Sequence, residues 1–148
     1  MAKKPRAGDG PAVSWRQDVT VSIVALGMDL IQIDRLEAVI AARGERFLDR
    51  VFTAEERAYC ERRARPAIHF AGRFAVKESV MKALGTGWAR GVRWVDLEVR
   101  RAPGEAPQAV LHGVAAEIAA ERGIARILIT ITHDAGVAAA VAVAESEA

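Results

Sequence analysis

The spacing of apolar and polar residues predicts a chain that alternates between strands and amphipathic helices. Residues 19–26 alternate at first and then become wholly apolar, which predicts a strand that ends at Gly27-Met28-Asp29. Apolar residues then recur at the spacing of one buried helical stripe (Ile33, Leu36, Ile40). Gly44 is expected to interrupt that first helix.

Two further helices are predicted in the middle of the chain. Thr53 and Glu56 have the spacing of a capping box, in which the threonine hydroxyl and the glutamate carboxylate each accept from the other's backbone N–H. The short helix they begin is expected to run to about Arg63. Residues 67–84 give the longest helical pattern, and Gly85 closes it, because glycine adopts the left-handed cap at little cost.

The second half of the chain is predicted to contain four strands and one helix. Residues 94–101 and 109–112 alternate as strands on either side of a turn, and 114–122 follow as a helix. Residues 125–132 and 137–144 form a strand pair joined at 133–136. Helical blocks between such strands predict an α+β fold: one domain, 19–148, with an antiparallel-type sheet packed on helices. Residues 1–18 lack apolar periodicity and are expected to be a flexible extension.

Composition and charge exclude several classes of protein. The 148 residues suit one domain, and the net charge of +2 comes entirely from residues 1–18, because 17 basic and 17 acidic residues balance in the remainder. Residues 19–148 carry no net charge, and only 5% of the chain is aromatic, so the composition does not favour nucleic-acid binding. The longest apolar run is ten residues, against about 20 for a membrane span. A single cysteine, Cys60, cannot form an intrachain disulfide and favours the cytoplasm.

Two acidic positions are candidates for chemistry. Asp29 lies between the first predicted strand and helix, where it can cap the helix or hold a metal at a fixed edge. Glu78 and Lys82 are four residues apart on a helix, which is the spacing of an ordinary surface ion pair. Small residues on the same helix (Ala71, Gly72, Ala75) leave room for another backbone or a ligand, which an isolated surface pair does not require.

Two further segments can be interpreted either structurally or as phosphate-binding groups. Gly85-Thr86-Gly87 suits a helix cap and turn, or a run of backbone N–H groups that hold a phosphate. His133 continues the apolar face of its strand, as a packed core residue does, although its ring N–H also suits a phosphate. The sequence has no P-loop, no dinucleotide-binding glycine motif and no Cys/His spacing typical of zinc.

The ordered set of these segments resembles one enzyme family. The motifs are Gly27-Met28-Asp29-Leu30, Phe52-Thr53-Ala54-Glu55-Glu56, Arg73-Phe74-Ala75-Val76-Lys77-Glu78-Ser79, Lys82-Ala83-Leu84-Gly85-Thr86-Gly87 and Ile131-Thr132-His133. Together they resemble the holo-acyl-carrier-protein synthases, a family of phosphopantetheinyl transferases, over roughly residues 23–144. Asp134 departs from the serine that family members often have there, and it adds negative charge beside His133.

The resemblance implies a magnesium-dependent transferase with the 4′-phosphopantetheinyl transferase fold. It would move 4′-phosphopantetheine from coenzyme A to a serine of an apo-acyl carrier protein, in fatty-acid or polyketide synthesis, and release 3′,5′-ADP. Asp29 and Glu78 would hold Mg²⁺, and Glu78 and Lys82 would act in catalysis. The nucleotide and phosphates would be held by Arg73, Gly85, Thr86, Gly87 and His133.

The resemblance also implies macromolecular partners. The family's first helix contacts an acidic carrier, so Arg35, Arg43 and Arg46 are expected docking residues, with Arg50 beyond them. The acidic residues between them (Glu37, Glu45, Asp49) also fit a mixed, solvated helix face. A homotrimer with sites at protomer boundaries is implied too. Two other functions remain as alternatives: a coenzyme A-binding module without catalysis, and a small RNA-binding protein led by the basic N-terminus.

Overall fold

The computed structural model describes residues 21–147, and the predicted extension at 1–18 lies outside them. In order, the elements are β1 (Ser22–Gln32), α1 (Ile33–Val51), α2 (Ala54–Glu61), α3 (Pro66–Leu84), a 3₁₀ turn (Trp94–Asp96), β2 (Leu97–Arg100), β3 (Gln108–Leu111), α4 (Gly113–Glu121), β4 (Arg126–Asp134) and β5 (Val137–Ser146). Within this part of the chain, no helix has both the length and the apolar character needed to cross a bilayer.

Three long strands form an antiparallel sheet in the order β1-β5-β4, and β2 and β3 form a separate antiparallel pair. The predicted β4–β5 hairpin is confirmed. The register places Asp29 of β1 opposite Ala140 of β5, and Ala140 opposite Ile131 of β4. Side chains directly opposite one another lie on the same face of a sheet, so Asp29 belongs to the face that carries Ala140.

Helix α3 packs against that face through small residues on both sides. Alternate residues of β5 are buried alanines (Ala138, Ala140, Ala142, Ala144). Gly27 of β1 lies so close to α3 that an added Cβ would be 1.8 Å from the carbonyl oxygen of Ser79. An added Cβ on Gly72 of α3 would be 3.0 Å from Ile131 Cγ2. The room predicted beside the small residues of α3 is therefore filled by the sheet and not by a ligand.

The predicted end of the first strand is wrong, because β1 continues to Gln32. Met28 and Leu30 alternate with Asp29 and point to the uncovered face, with 59% and 60% of their surface exposed. Gly27 is needed for the close approach to α3 and does not form a turn. The residue that precedes the first turn of α1 is Gln32, so Asp29 does not cap that helix.

Local signals explain the helices around this sheet. Gly44 has φ 59° and ψ −139°, and it kinks α1 as predicted. The capping box is confirmed: Thr53 Oγ1 accepts from Glu56 N at 3.2 Å, and Glu56 Oε1 accepts from Thr53 N at 3.0 Å. The strand predicted to begin at Trp94 begins only at Leu97. The Asp96 side chain accepts from Arg93 N and holds a 3₁₀ turn before it.

Candidate active site

The described residues form an open cleft between β1, α1 and α3, with a volume of about 790 Å³. Asp29 enters it from the strand, and Glu78 and Lys82 enter from the helix. Arg35 and Arg43 of α1 line the same cleft. Asp29 and Glu78, which are 49 positions apart in the sequence, are thus brought together, because β1 packs closely against α3 at Gly27.

Lys82 is bound to the strand and not to its helical neighbour Glu78. Its Nζ donates to the carbonyl oxygen of Met28 at 2.8 Å and to Asp29 Oδ1 at 3.1 Å. The lysine side chain remains 53% exposed, whereas that of Asp29 is 18% exposed. An ion pair this open to solvent contributes at most about 1 kcal/mol to stability, so Lys82 is free to bind an anionic ligand instead.

Glu78 is half-buried, and its surroundings disfavour its negative charge. Burial raises the pKa of the Glu78 carboxyl, and the neighbouring Asp29 carboxylate raises it further. The side chains of Trp88 and Lys82 act in the opposite direction. Two carboxylates that repel one another in a cleft are stabilised when a cation binds between them.

The donor set fits magnesium. Mg²⁺ in proteins is commonly held by one or two carboxylates together with phosphate and water oxygens, and Asp29 and Glu78 supply the two. Residues 21–147 contain no group of three or more His, Cys, Asp or Glu side chains placed to hold a metal.

The Gly85-Thr86-Gly87 segment follows the helical turn that carries Lys82. Gly85 has φ 75°, and its N–H donates to the carbonyl oxygens of Met81 and Lys82. The helix-cap interpretation is confirmed. The cap already occupies the Gly85 N–H, and the phosphate role expected of this segment stays a prediction. Gly87 is exposed, with open space where a Cβ would stand.

Arg73 does not line the Asp29 cleft. It is 4% exposed, and its guanidinium carbon lies 3.9 Å from the centre of the Tyr59 ring. It lines a second cleft of about 410 Å³, together with Arg62, Arg100 and Arg101. The Arg73 Nε is buried and has no hydrogen-bond partner among the described residues. An unpaired buried donor among other arginines suits a bound anion.

His133 is also away from the Asp29 cleft. It is exposed near the end of β4, so its interpretation as a packed core residue is wrong. It lies on the Arg73 side of the molecule: burial lowers the pKa of His69, and the positive charges of Arg63, Arg73 and His133 lower it further. The chain thus carries two separate clusters, one around Asp29 and one around Arg73.

Sequence reasoning missed a buried ion pair beside the site. Lys77 and Glu56 are both completely buried, with Nζ 2.7 Å from Oε1. Lys77 Nζ also donates to the carbonyl oxygens of Trp94 (3.0 Å) and Leu97 (2.7 Å). Burial lowers the pKa of Lys77, against the opposing effect of Glu56. The sequence did contain a signal for this burial. The residues one and two positions before Lys77, and three and four positions after it, are small or apolar, and all of them are buried.

Comparison with known proteins places this geometry in a family. The model of the 4′-phosphopantetheinyl transferase superfamily matches residues 25–142. The holo-[acyl-carrier-protein] synthase of Anaeromyxobacter sp. strain K is 49% identical over 126 residues, which cover 83% of this chain and 96% of that protein. The crystal structure of the holo-[acyl-carrier-protein] synthase from Neisseria meningitidis has a TM-score of 0.77 at 26% identity, covering 84% of this chain and all of that one.

A second solved structure was determined with a ligand. The holo-[acyl-carrier-protein] synthase of Helicobacter pylori, in complex with coenzyme A, has a TM-score of 0.71 at 30% identity. The match covers 80% of this chain and 98% of that protein. The predicted α+β fold, with an antiparallel sheet packed on helices, is confirmed by the structure and by these neighbours.

Proposed function

The chain belongs to the 4′-phosphopantetheinyl transferase superfamily, among its holo-[acyl-carrier-protein] synthases, and from this premise we propose the reaction that it catalyses. The 4′-phosphopantetheine group passes from coenzyme A to a serine of an apo-acyl carrier protein, and 3′,5′-ADP leaves. The reaction depends on Mg²⁺. The observation that supports this most is the single cleft that Asp29, Glu78 and Lys82 share.

Asp29 and Glu78 are the residues that would hold the metal. When bound, Mg²⁺ neutralises charge on the pyrophosphate oxygens of coenzyme A and so favours attack at phosphorus. Lys82 would turn from Asp29 toward a phosphate oxygen and stabilise the negative charge that develops there. Glu78 accepts the proton of the carrier serine, directly or through a water molecule.

The nucleotide end of coenzyme A is assigned to the second cluster. The buried Arg73 Nε has no partner within residues 21–147, and Arg73 lies among other arginines. Its planar guanidinium suits the 3′-phosphate. Exposed His133 lies on the same side, and Thr86 and Gly87 offer donors next to Lys82. The two clusters lie on different faces of α3. If the Asp29 cluster of one protomer faces the Arg73 cluster of a neighbouring protomer, both clusters would contact the same coenzyme A molecule.

The uncovered face of the sheet supports assembly as a homotrimer. Its large exposed apolar side chains form a patch (Ile23, Leu26, Met28, Leu30, Leu128). The register places Leu26 and Leu128 on either side of Val143, so the patch is continuous across the three strands. Contiguous apolar surface of this kind marks protein–protein interfaces. Multi-angle light scattering should give the trimer mass, and Met28→Glu should lower it.

The arginines of α1 are assigned to the carrier. Arg35 and Arg43 line the Asp29 cleft. Arg43, Arg46 and Arg50 line an adjoining cleft whose wall is aromatic, with Phe74 and Trp94. An acidic carrier that docks there would place its serine beside Glu78. Arg35→Glu should raise the KM for the carrier and leave the KM for coenzyme A unchanged, and an unchanged carrier KM would refute the docking role.

Intact mass spectrometry of an apo-carrier incubated with coenzyme A and Mg²⁺ tests the proposed function. We expect the carrier to gain the mass of one phosphopantetheine group, and EDTA to prevent the gain. Glu78→Ala should abolish transfer at saturating Mg²⁺, and retained turnover would remove Glu78 from the catalytic residues. Coenzyme A binding without any carrier modification would indicate a binding module instead.

We place the reaction in the cytoplasm, because Cys60 is a free, buried thiol.

A further inference from the structure

The acidic and basic side chains of α1 beyond Gly44 lie on different sides of that helix. Arg46 and Arg50 are one helical turn apart and line the cleft that Phe74 and Trp94 also line. Glu45 and Asp49 are also one turn apart, and neither lines that cleft. The mixed, solvated face expected from the alternating signs is therefore separated into two faces of opposite charge.

One arginine of α2 binds the acidic face. Arg57 Nη2 donates to Glu45 Oε2 at 2.6 Å, and Arg57 Nη1 donates to Asp49 Oδ1. The same guanidinium also donates to Glu61 Oε1 at 3.1 Å. The Arg57 side chain is 16% exposed, whereas those of Glu45 and Asp49 are 76% and 68% exposed. Hydrogen bonding to Glu45 is the main cause that raises the pKa of Arg57, which stays charged.

We propose that Arg57 is a specificity-determining positioning residue, which holds Glu45 and Asp49 away from the arginine-lined cleft so that an acidic carrier meets positive charge alone. This inference rests on the proposed function, because it concerns the carrier that the cleft would bind. Arg57 itself lines neither the Asp29 cleft nor the Arg73 cleft. It acts through the orientation of its two neighbours on α1.

The helix geometry indicates what happens without Arg57. Asp49 is three residues from Arg46, so its released carboxylate can reach that guanidinium across one turn. An arginine paired within its own helix is less available to the carrier, and an unpaired carboxylate within the Debye length of about 8 Å repels an acidic partner. Both effects weaken docking, and neither changes the Asp29 cleft. The KM for the carrier should therefore change, and the KM for coenzyme A should not.

The test compares Arg57→Gln, the pair Glu45→Gln with Asp49→Asn, and the triple variant in the carrier-modification assay. We expect Arg57→Gln to raise the KM for apo-carrier about 5-fold, the acidic pair alone to change it less than about 2-fold, and the triple variant to return it to within about 2-fold of wild type. The values of kcat and of KM for coenzyme A should stay within about 2-fold throughout. Arg90→Gln, which breaks the exposed pair with Glu121, is the matched control and should leave the carrier KM unchanged.

The pattern of the four proteins separates the possible explanations. If the two sets of substitutions add in log KM, net charge alone explains the effect and the proposal is overturned. It is also overturned if Arg57→Gln lowers kcat and the melting temperature and the triple variant does not recover, because that is loss of a structural contact. If the wild-type chain modifies no carrier at all, the proposed function fails first.

Discussion

Replacing the buried Lys77 with methionine should lower the free energy of unfolding more than the same replacement of Lys82, the exposed lysine of the same helix. The substitution keeps the length and apolar stem of the side chain but removes the ammonium group. Glu56 then loses the cation 2.7 Å from its Oε1, and the Trp94 and Leu97 carbonyl oxygens lose their donor. Breaking one partner of a fully buried pair costs about 3–5 kcal/mol, because the other charge remains without compensation.

That loss is large compared with the stability of a domain. Total free energies of unfolding are about 5–15 kcal/mol. In a domain of this size each kcal/mol lowers the melting temperature by about 2–4 °C, so we expect a fall of about 6–20 °C. Adding Glu56→Gln should restore part of it, since glutamine removes the stranded charge and keeps an oxygen for the helix cap.

Urea denaturation followed by circular dichroism, at one fixed protein concentration, measures the effect. Lys82→Met is the matched control: the same substitution, five residues further along α3, at a side chain that is half exposed. It should change stability by less than about 1 kcal/mol while reducing transfer. A loss below about 1 kcal/mol for Lys77→Met would refute the reasoning, because it would mean that the pair contributes no more than a surface ion pair.

Three more outcomes follow from the packing and the buried groups. Gly27→Ala should cost about 3 kcal/mol in denaturation and reduce transfer, because its Cβ would lie 1.8 Å from the Ser79 oxygen and must push α3 from β1; wild-type values would contradict this. Burial alone would raise the pKa of the Glu98 carboxyl. Hydrogen bonds lower this pKa below 4.5, and the bond from His112 has the largest effect among them. Its stabilisation is therefore present above pH 4.5 and lost as the pH falls below it, so the stability curves of Glu98→Gln and wild type should converge in acid; a constant difference would be the contrary result. Burial raises the pKa of Cys60 to about 12, so iodoacetamide at pH 8 should label it only in denaturant, as mass spectrometry can check, and rapid labelling of the native protein would contradict its burial.

Local signals in the sequence were sufficient for most of the elements. The capping box at Thr53, the left-handed glycine at 85 and the hairpin before Val137 depend on neighbours a few residues away, and each is where it was predicted. The predicted end of β1 was wrong because of a tertiary contact. Gly27 looks like the start of a turn until α3 is packed against it, and no local pattern contains that contact.

The candidate site was predictable in composition but not in arrangement. The resemblance supplied Asp29, Glu78 and Lys82 as a group, and the structure places them in one cleft. Arg73 was assigned to the same site, yet five helical residues correspond to a rotation of about 140°, which takes it to another face of α3 than Glu78. That separation was readable from the sequence. The partnership of Lys77 with Glu56 was not, since it joins two residues 21 positions apart on different helices.

The metal dependence of transfer in Asp29→Asn, Glu78→Gln and the double variant tests the central claim most directly. If the two carboxylates hold one Mg²⁺, each single change should remove most of the rate and raise the Mg²⁺ concentration needed for half of it. The double variant should then be little worse than Glu78→Gln alone, because that change already removes both a metal ligand and the proposed base. Rates that persist in EDTA, or single variants that turn over like wild type, would contradict the account.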